Sequence, residues 1–347
     1  MTAESGAEAG AGSDHASRRV RFVAPRRVEV DRTPVGTPSP DEVRIETTLS
    51  AISPGTELLV YRDQVPDDVS LDETIDSLDR PATYPLSYGY AAVGTVTAAG
   101  TDVADEWVGR RVFAFHPHAS HFCVTPESLV PLPSDVADED AVLLAMVETA
   151  VSLTMDGRPR VGERVAVFGQ GVVGLLTTAL LARFPLARLV TFDRYPDRRE
   201  RSRRLGADAS LPPDAAGEAF ETGDGRADLS YEVSGNPDAL DAAIETTGDD
   251  GRVVVGSWYG SKPTTLDLGG RFHRSHIRLQ ASQVSRIDPA HAGRWDKDRR
   301  MDLVLDRLAD LEPSQLVTHR LSVEEAPRAY QLLDQSREEA LQVLFEY

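Results

Sequence analysis

The chain has 347 residues, a formal net charge of −19 and one cysteine. Such acidity argues against a nucleic-acid partner, which draws on clustered Lys and Arg. The lone cysteine excludes an internal disulfide and a four-thiolate zinc, and points to a reducing compartment.

The length suits two domains, each with its own core. Only two of the 37 basic residues are lysines, Lys262 and Lys297, and Asp outnumbers Glu. This balance resembles that of proteins in a high-salt cytoplasm, where dense carboxylates keep a chain soluble and salt screens their repulsion. Residues 1–18, rich in Gly, Ala and Ser, read as a mobile tail. The tail has neither a basic head nor an apolar stretch, and no long apolar run follows. No signal peptide, membrane span or membrane partner is expected, and the location expected is cytoplasmic.

From Arg19 to about Leu132, short apolar runs such as "VRIETTLSAI", "YAAVGTVTAAG" and "GRRVFAFHP" alternate with Pro and Gly, the spacing of an antiparallel β domain. Between them "RDQVPDDVSLDETIDSLDRPATYP" reads as a polar surface excursion. The run "HPHASHFC", His116 to Cys123, holds three of the eight histidines. On a strand, His116 and His118 would share a face while His121 and Cys123 point elsewhere. A tetrahedral zinc needs three or four converging ligands, so this pair would have to recruit a remote carboxylate such as Glu57. The reading preferred here is a polar, substrate-binding cluster.

From Asp138 the period becomes helical in "DEDAVLLAMVETAVSLTMDG". "RVGERVAVFGQGVVGLLTTALLARF" then gives a strand, a glycine turn and a helix. The turn carries Gly169, Gly171, Val172, Val173 and Gly174, and Asp193 ends the next strand 19 residues beyond Gly174. These glycines let the backbone approach a pyrophosphate, and the helix N-terminus offers it unpaired amides. The Asp193 carboxylate would accept the ribose diol of NAD and repel a 2′-phosphate, which favours NAD, whereas Arg194 beside it keeps NADP open. Strands and helices then alternate, implying a parallel sheet. Ser234, Gly235, Gly256 and Ser257 follow strand ends, where a dinucleotide rests. Arg294 and Trp295 form a cationic and aromatic pair suited to an anionic or aromatic substrate, or to loop packing.

"YPLSYGYAAVGTVTAAG", "GRRVF", the glycine-turn segment and "DLSYEVSGNPDALDAAIETTGDDGRVVVGS" together resemble the medium-chain dehydrogenase/reductase family over nearly the whole chain after the tail. The resemblance implies an α/β fold in which a GroES-like β-rich catalytic domain spans 19–150 and is completed by about 316–347. A Rossmann NAD(P)-binding domain would span 151–315. It also implies a small-molecule substrate and a homodimer or homotetramer. At the family's zinc-ligand positions stand Pro54 after Ser53, Tyr90 or Ala91, and Ala145 or Met146, so no zinc is expected. "ISPGTELL" and "AVLLAMVETA" are similar to a zinc-independent branch that includes bacteriochlorophyllide hydroxyethyl dehydrogenases.

Without a metal, the resemblance assigns proton relay to Thr56, with Tyr90 at a former ligand position, and His118 is a candidate proton donor or acceptor because an imidazole titrates near working pH. Glu57 would orient Thr56 or His118. Ser53, His116 and Glu148 would face substrate, and Thr149 the nicotinamide carboxamide. The reaction expected is alcohol–carbonyl interconversion with NAD(P) and no zinc. Three alternatives stay open: enoyl- or quinone-type C=C reduction, a zinc enzyme with atypical ligands, and a non-catalytic nucleotide-binding relative.

Overall fold

Alternating burial builds the first sheet: Val43, Ile45, Thr47 and Leu49 are buried along β3 (Val43–Ala51) while the residues between them point outward. The structure, a computed structural model, describes residues 16–73, 75, 78–220 and 225–347. A hairpin of β1 (Ala16–Ala24) and β2 (Arg27–Pro34) precedes β3. After α1 (Thr56–Tyr61) come β4 (Ala92–Ala99), β5 (Arg111–Ala114), β6 (His121–Val124) and β7 (Leu129–Pro131). The expected tail ends earlier than its composition suggested. Residues 16–18 already pair with β2, and the rest of the tail lies outside the described residues.

The helices α2 (Asp138–Ala141) and α3 (Leu144–Gly157) lead into the second sheet. It is assembled from β8 (Arg164–Phe168), β9 (Arg188–Phe192), β10 (Ala209–Leu211), β11 (Ala227–Glu232), β12 (Thr247–Val255) and β13 (Arg278–Ala281). Its crossovers include α4 (Val172–Leu181), α5 (Pro196–Arg204) and α6 (Asp238–Thr246). All neighbouring strands are parallel, in the order β10-β9-β8-β11-β12-β13. This is the doubly wound dinucleotide-binding order, in which the chain reverses direction across the sheet between β8 and β11 and leaves a crevice at their carboxyl ends.

The chain then returns through α7 (Lys297–Leu311), β14 (Val317–Ser322), α8 (Ala326–Gln335) and β15 (Gln342–Glu346). β15 pairs antiparallel with β3 and parallel with β14, so the first sheet runs β14-β15-β3-β4-β5-β7 with β6 also on β3. The β14–β15 pair departs from a purely antiparallel domain because α8 supplies the crossover that parallel strands require. The fold is α/β: a GroES-like β-rich unit beside a Rossmann unit.

One core joins the two. Leu49, Val93 and Phe113 of the first sheet pack with Leu144 and Val147 of α3, Leu175 of α4 and Leu308 of α7. A second core gathers α1, α8 and the segment read as a surface excursion, whose Val65, Leu71 and Leu78 are buried. The excursion is anchored because its apolar residues have a place to go. Among the described residues no helix is long and apolar enough to cross a membrane.

Candidate active site

The glycine turn closes at the β8–β11 crevice. Gly169 has φ +96°, and a Cβ there would lie 2.5 Å from the Ser234 Cα, so only glycine fits. A Cβ on Gly174 would meet the Gly169 carbonyl oxygen at 2.0 Å. Gly171 differs: it caps α4, and nothing stands within 4 Å of its would-be Cβ. The first and third glycines are demanded by packing, while the second faces open space where a pyrophosphate can approach the helix amides. Val172 is buried and Val173 half-buried behind them. The residues fit a dinucleotide.

Asp193 is turned toward the backbone. Its Oδ2 accepts the Gln170 N–H at 2.8 Å and its Oδ1 accepts the Tyr195 N–H at 2.8 Å, with 8% of the residue exposed. The carboxylate braces the glycine turn, and the preference for NAD read from a free carboxylate does not follow from this geometry. Arg194 is exposed, its guanidinium 4.7 Å from the centre of the Tyr195 ring. At the next strand ends Gly235 donates its N–H to Ser257 Oγ at 2.8 Å, and the Ser234 hydroxyl bonds Glu232. Gly256 packs against Leu153 of α3. Thr149 donates its hydroxyl to the Ala145 carbonyl at 2.9 Å and stays partly exposed.

Ser53, Thr56 and Tyr90 come together where β3 leads into α1. The Tyr90 hydroxyl donates to Ser53 Oγ at 2.6 Å and also bonds Thr56. Burial pushes the Tyr90 phenol up to about 12, against the opposing pull of the two hydroxyls. The group therefore keeps its proton at working pH.

Glu57 lies under this cluster without reaching solvent. Oε1 accepts the Ser53 N–H at 2.7 Å, and Oε2 accepts from His118 Nε2 at 3.0 Å and from the Tyr330 hydroxyl. His118 is equally buried, and its Nδ1 meets Ser50 Oγ at 2.7 Å. Its ring is held by the fold, since Gly89, at φ +122°, leaves only 2.8 Å between a would-be Cβ and that ring. Both ring nitrogens are engaged inside the protein. His118, expected to exchange a proton with substrate, has both ring nitrogens committed to Glu57 and Ser50, and Glu57 in turn holds the Ser53 amide.

His116 and His118 do not share a strand face. They sit in the link between β5 and β6, where β1 holds the His118 carbonyl through the Val20 N–H at 3.0 Å. His116 stacks on Phe122 at 3.8 Å and donates Nδ1–H to the Pro117 carbonyl at 2.7 Å. Burial lowers it to about 4, so the ring stays neutral near neutral pH.

Glu148, expected to face substrate, is engaged elsewhere: its Oε1 takes two bonds from the buried Arg300 of α7, at 3.1 and 2.7 Å, and the pair ties α3 to α7. Burial raises Glu148 while Arg300 opposes the shift. Arg294 and Trp295 do not pair with each other: Arg299 covers the Trp295 ring at 4.3 Å, and Arg294 is exposed. Their loop is fastened to the C-terminal end of α3 by His291 on the Met155 carbonyl and by Arg158 on Asp288. That end lies away from Thr149 and the glycine turn.

The family model described as zinc-binding dehydrogenase matches residues 172–295. D-guloside 3-dehydrogenase of Escherichia coli K12 is 25% identical over 325 residues, covering 87% of this chain and 92% of that protein. The chain is similar to dehydrogenases of the medium-chain alcohol dehydrogenase type, a likeness that supports an oxidoreductase enzyme. Solved structures agree on the fold. A short chain alcohol dehydrogenase (rspB) of E. coli CFT073, complexed with NADH, superposes with a TM-score of 0.77 at 19% identity, over 96% of this chain and 99% of that one. A chain from Sinorhizobium meliloti 1021 bound to NADP gives 0.75 at 18% identity, over 96% and 100%.

Zinc finds few donors at the positions named above: Pro54 offers no donor atom, and Ala91, Ala145 and Met146 are buried apolar side chains. Among the described residues no three His, Cys, Asp or Glu side chains converge as a metal site. Sequence reasoning missed Ser50, Tyr330 and Arg300, which complete the buried networks. It also missed a run of basic side chains beside Arg194, in which Lys262 donates to the Gly235 carbonyl at 2.5 Å. Lys262, one of only two lysines, carried the one available signal.

Proposed function

We propose that this dehydrogenase interconverts an alcohol and a carbonyl with NAD(P) and without zinc, in a small hydroxyl-bearing substrate held between the unit of residues 19–150 with 316–347 and the unit of residues 151–315. The observation that carries the proposal is the Tyr90–Ser53–Thr56 hydroxyl cluster: Ser53 and Thr56 lie on either side of Pro54, at the position of the zinc enzymes' first ligand, and Tyr90 stands at the position of their second. A bound nicotinamide supplies the hydride chemistry. The amides at the start of α4 hold the dinucleotide, with Gly171 leaving room for it and Asp193 keeping the turn in shape. Tyr90 donates to the substrate oxygen, where negative charge builds during carbonyl reduction, and Ser53 and Thr56 supply hydroxyls that refill it. Glu57 and His118 keep Ser53 in place from below.

The salt-adapted composition and the likeness to a zinc-free branch fit this reading. The test is turnover by the metal-stripped protein across alcohols, ketones and enones, followed by nicotinamide absorbance. Reaction with alcohols or carbonyls supports the proposal. Reaction with enones alone assigns the site to C=C reduction, and nucleotide binding without any turnover removes the catalytic reading.

A further inference from the structure

We infer that Glu232 is a positioning residue for the dinucleotide: its buried carboxylate ties the turn after β11 to the loop after β12 and so fixes the crevice wall that faces the glycine turn. The inference rests on the dinucleotide reading of that turn. Glu232 is the last residue of β11, level with Phe168 of β8 and Val255 of β12, so it stands where all three strands deliver the chain to the crevice. It has no solvent exposure. Oε1 accepts the Ser234 N–H at 2.8 Å and the Ser234 hydroxyl at 2.5 Å, and Oε2 accepts from the Tyr259 hydroxyl at 2.5 Å. The Glu232 carbonyl accepts the Gly256 N–H at 2.9 Å.

The groups that meet this carboxylate, an amide and two hydroxyls, are uncharged, and burying a charge on such donors costs more than an apolar side chain in the same strand would. What the carboxylate adds is a connection between two loops that no apolar residue makes. Ser234 is the residue on which the glycine turn packs, since a Cβ at Gly169 would lie 2.5 Å from its Cα. Beside it Gly235, at φ +69° and with nothing within 4 Å of its would-be Cβ, presents open backbone. The loop after β12 grips this turn from the other side: Ser257 Oγ accepts the Gly235 N–H at 2.8 Å, and Lys262 donates to the Gly235 carbonyl at 2.5 Å. Tyr259 completes the grip through Glu232. Burial and then the Glu232 charge raise the Tyr259 phenol, so the hydroxyl remains the donor. Asp193 braces the glycine turn through the Gln170 amide, so two carboxylates, at the ends of β9 and β11, hold the flanks of one crevice.

The full chain is titrated with NADH and with NADPH, binding is followed by nicotinamide fluorescence, and a melting curve is recorded for each variant. Glu232→Leu strands the Ser234 and Tyr259 donors and should weaken the tighter of the two nucleotides by about tenfold or more, and Tyr259→Phe by about threefold. Glu232→Gln keeps an oxygen for Ser234 and offers an amide to the Tyr259 oxygen, so its affinity should stay within about threefold of the parent's and well above that of the Leu variant. Ser230→Ala serves as the control, because it breaks the Ser230–Thr247 hydroxyl bridge between the same two strands, behind Glu232, and should leave affinity unchanged. A Leu variant that binds like the parent, a Gln variant as weak as the Leu variant, or a loss in Ser230→Ala as large as in Tyr259→Phe overturns the positioning role. Where Glu232→Leu does not fold, Tyr259→Phe decides, and parental affinity in that variant overturns the inference. Binding of neither nucleotide by the parent overturns the dinucleotide reading and this inference with it.

Discussion

The Glu57 carboxylate meets the His118 imidazole at 3.0 Å with neither side chain reaching solvent. With Tyr330 and the Ser53 amide, three donors meet the carboxylate, and both of its oxygens are engaged. Replacing Glu57 with Leu strands three donors at once. The expected cost is about 3–5 kcal/mol in urea denaturation, with the Gln variant losing less. A Leu variant as stable as the parent contradicts this account.

Glu148 and Arg300 permit a sharper comparison, because their pair is argued to hold helices together and not to bind substrate. Arg300→Met alone leaves Glu148 buried and uncompensated, at an expected cost of about 3–5 kcal/mol. Combining it with Glu148→Leu should recover most of that loss, as in other buried pairs replaced by apolar residues. A double variant that is stable yet shows a large rise in KM would return Glu148 to the substrate site.

The three glycines should respond differently. Gly171→Val places a Cβ where it meets no packed neighbour within 4 Å, so the fold should stand while dinucleotide affinity falls by about tenfold or more. Gly169→Ala combines a left-handed φ with a backbone clash and should destabilise the protein itself. Thermal melts paired with NAD(P) titration distinguish the two. Equal stability losses would show that the turn has no open side.

Tyr90 keeps its proton until about pH 12. Tyr90→Phe should lower kcat by about a hundredfold with little change in nucleotide affinity. No limb of the pH–rate profile near neutrality should disappear with it. The same shift implies stability that is complete below the unfolded value of 10.0 and fades as pH rises toward 12.

His116 gives the opposite pH signature. Its folded value of about 4 lies below the ordinary 6.5, so the unfolded chain takes up a proton that the folded chain refuses. Stability is complete above 6.5 and is lost as pH falls through 4, by about 2 kcal/mol once residual exposure is allowed for. His116→Phe keeps the ring on Phe122 and should flatten that part of the stability profile.

What could be read from the sequence was local. The glycine turn and the strand before it lie within a dozen residues, and their spacing reflects one backbone path. The second sheet followed from strands alternating with helices. The networks around them were hidden because their members are far apart: Glu57 and Tyr330 are separated by 273 residues, and Glu148 and Arg300 by 152. No periodicity links such pairs. His116 and His118 misled for a related reason: the strand rule for alternate faces fails in the β5–β6 link, where the chain turns between them.

The most direct measurement takes the protein stripped of metal by exhaustive chelation, confirms the absence of zinc by elemental analysis, and follows nicotinamide absorbance with an alcohol or carbonyl substrate. The account predicts that turnover persists and that Tyr90→Phe abolishes most of it. Turnover that vanishes on chelation and returns with stoichiometric zinc would contradict it.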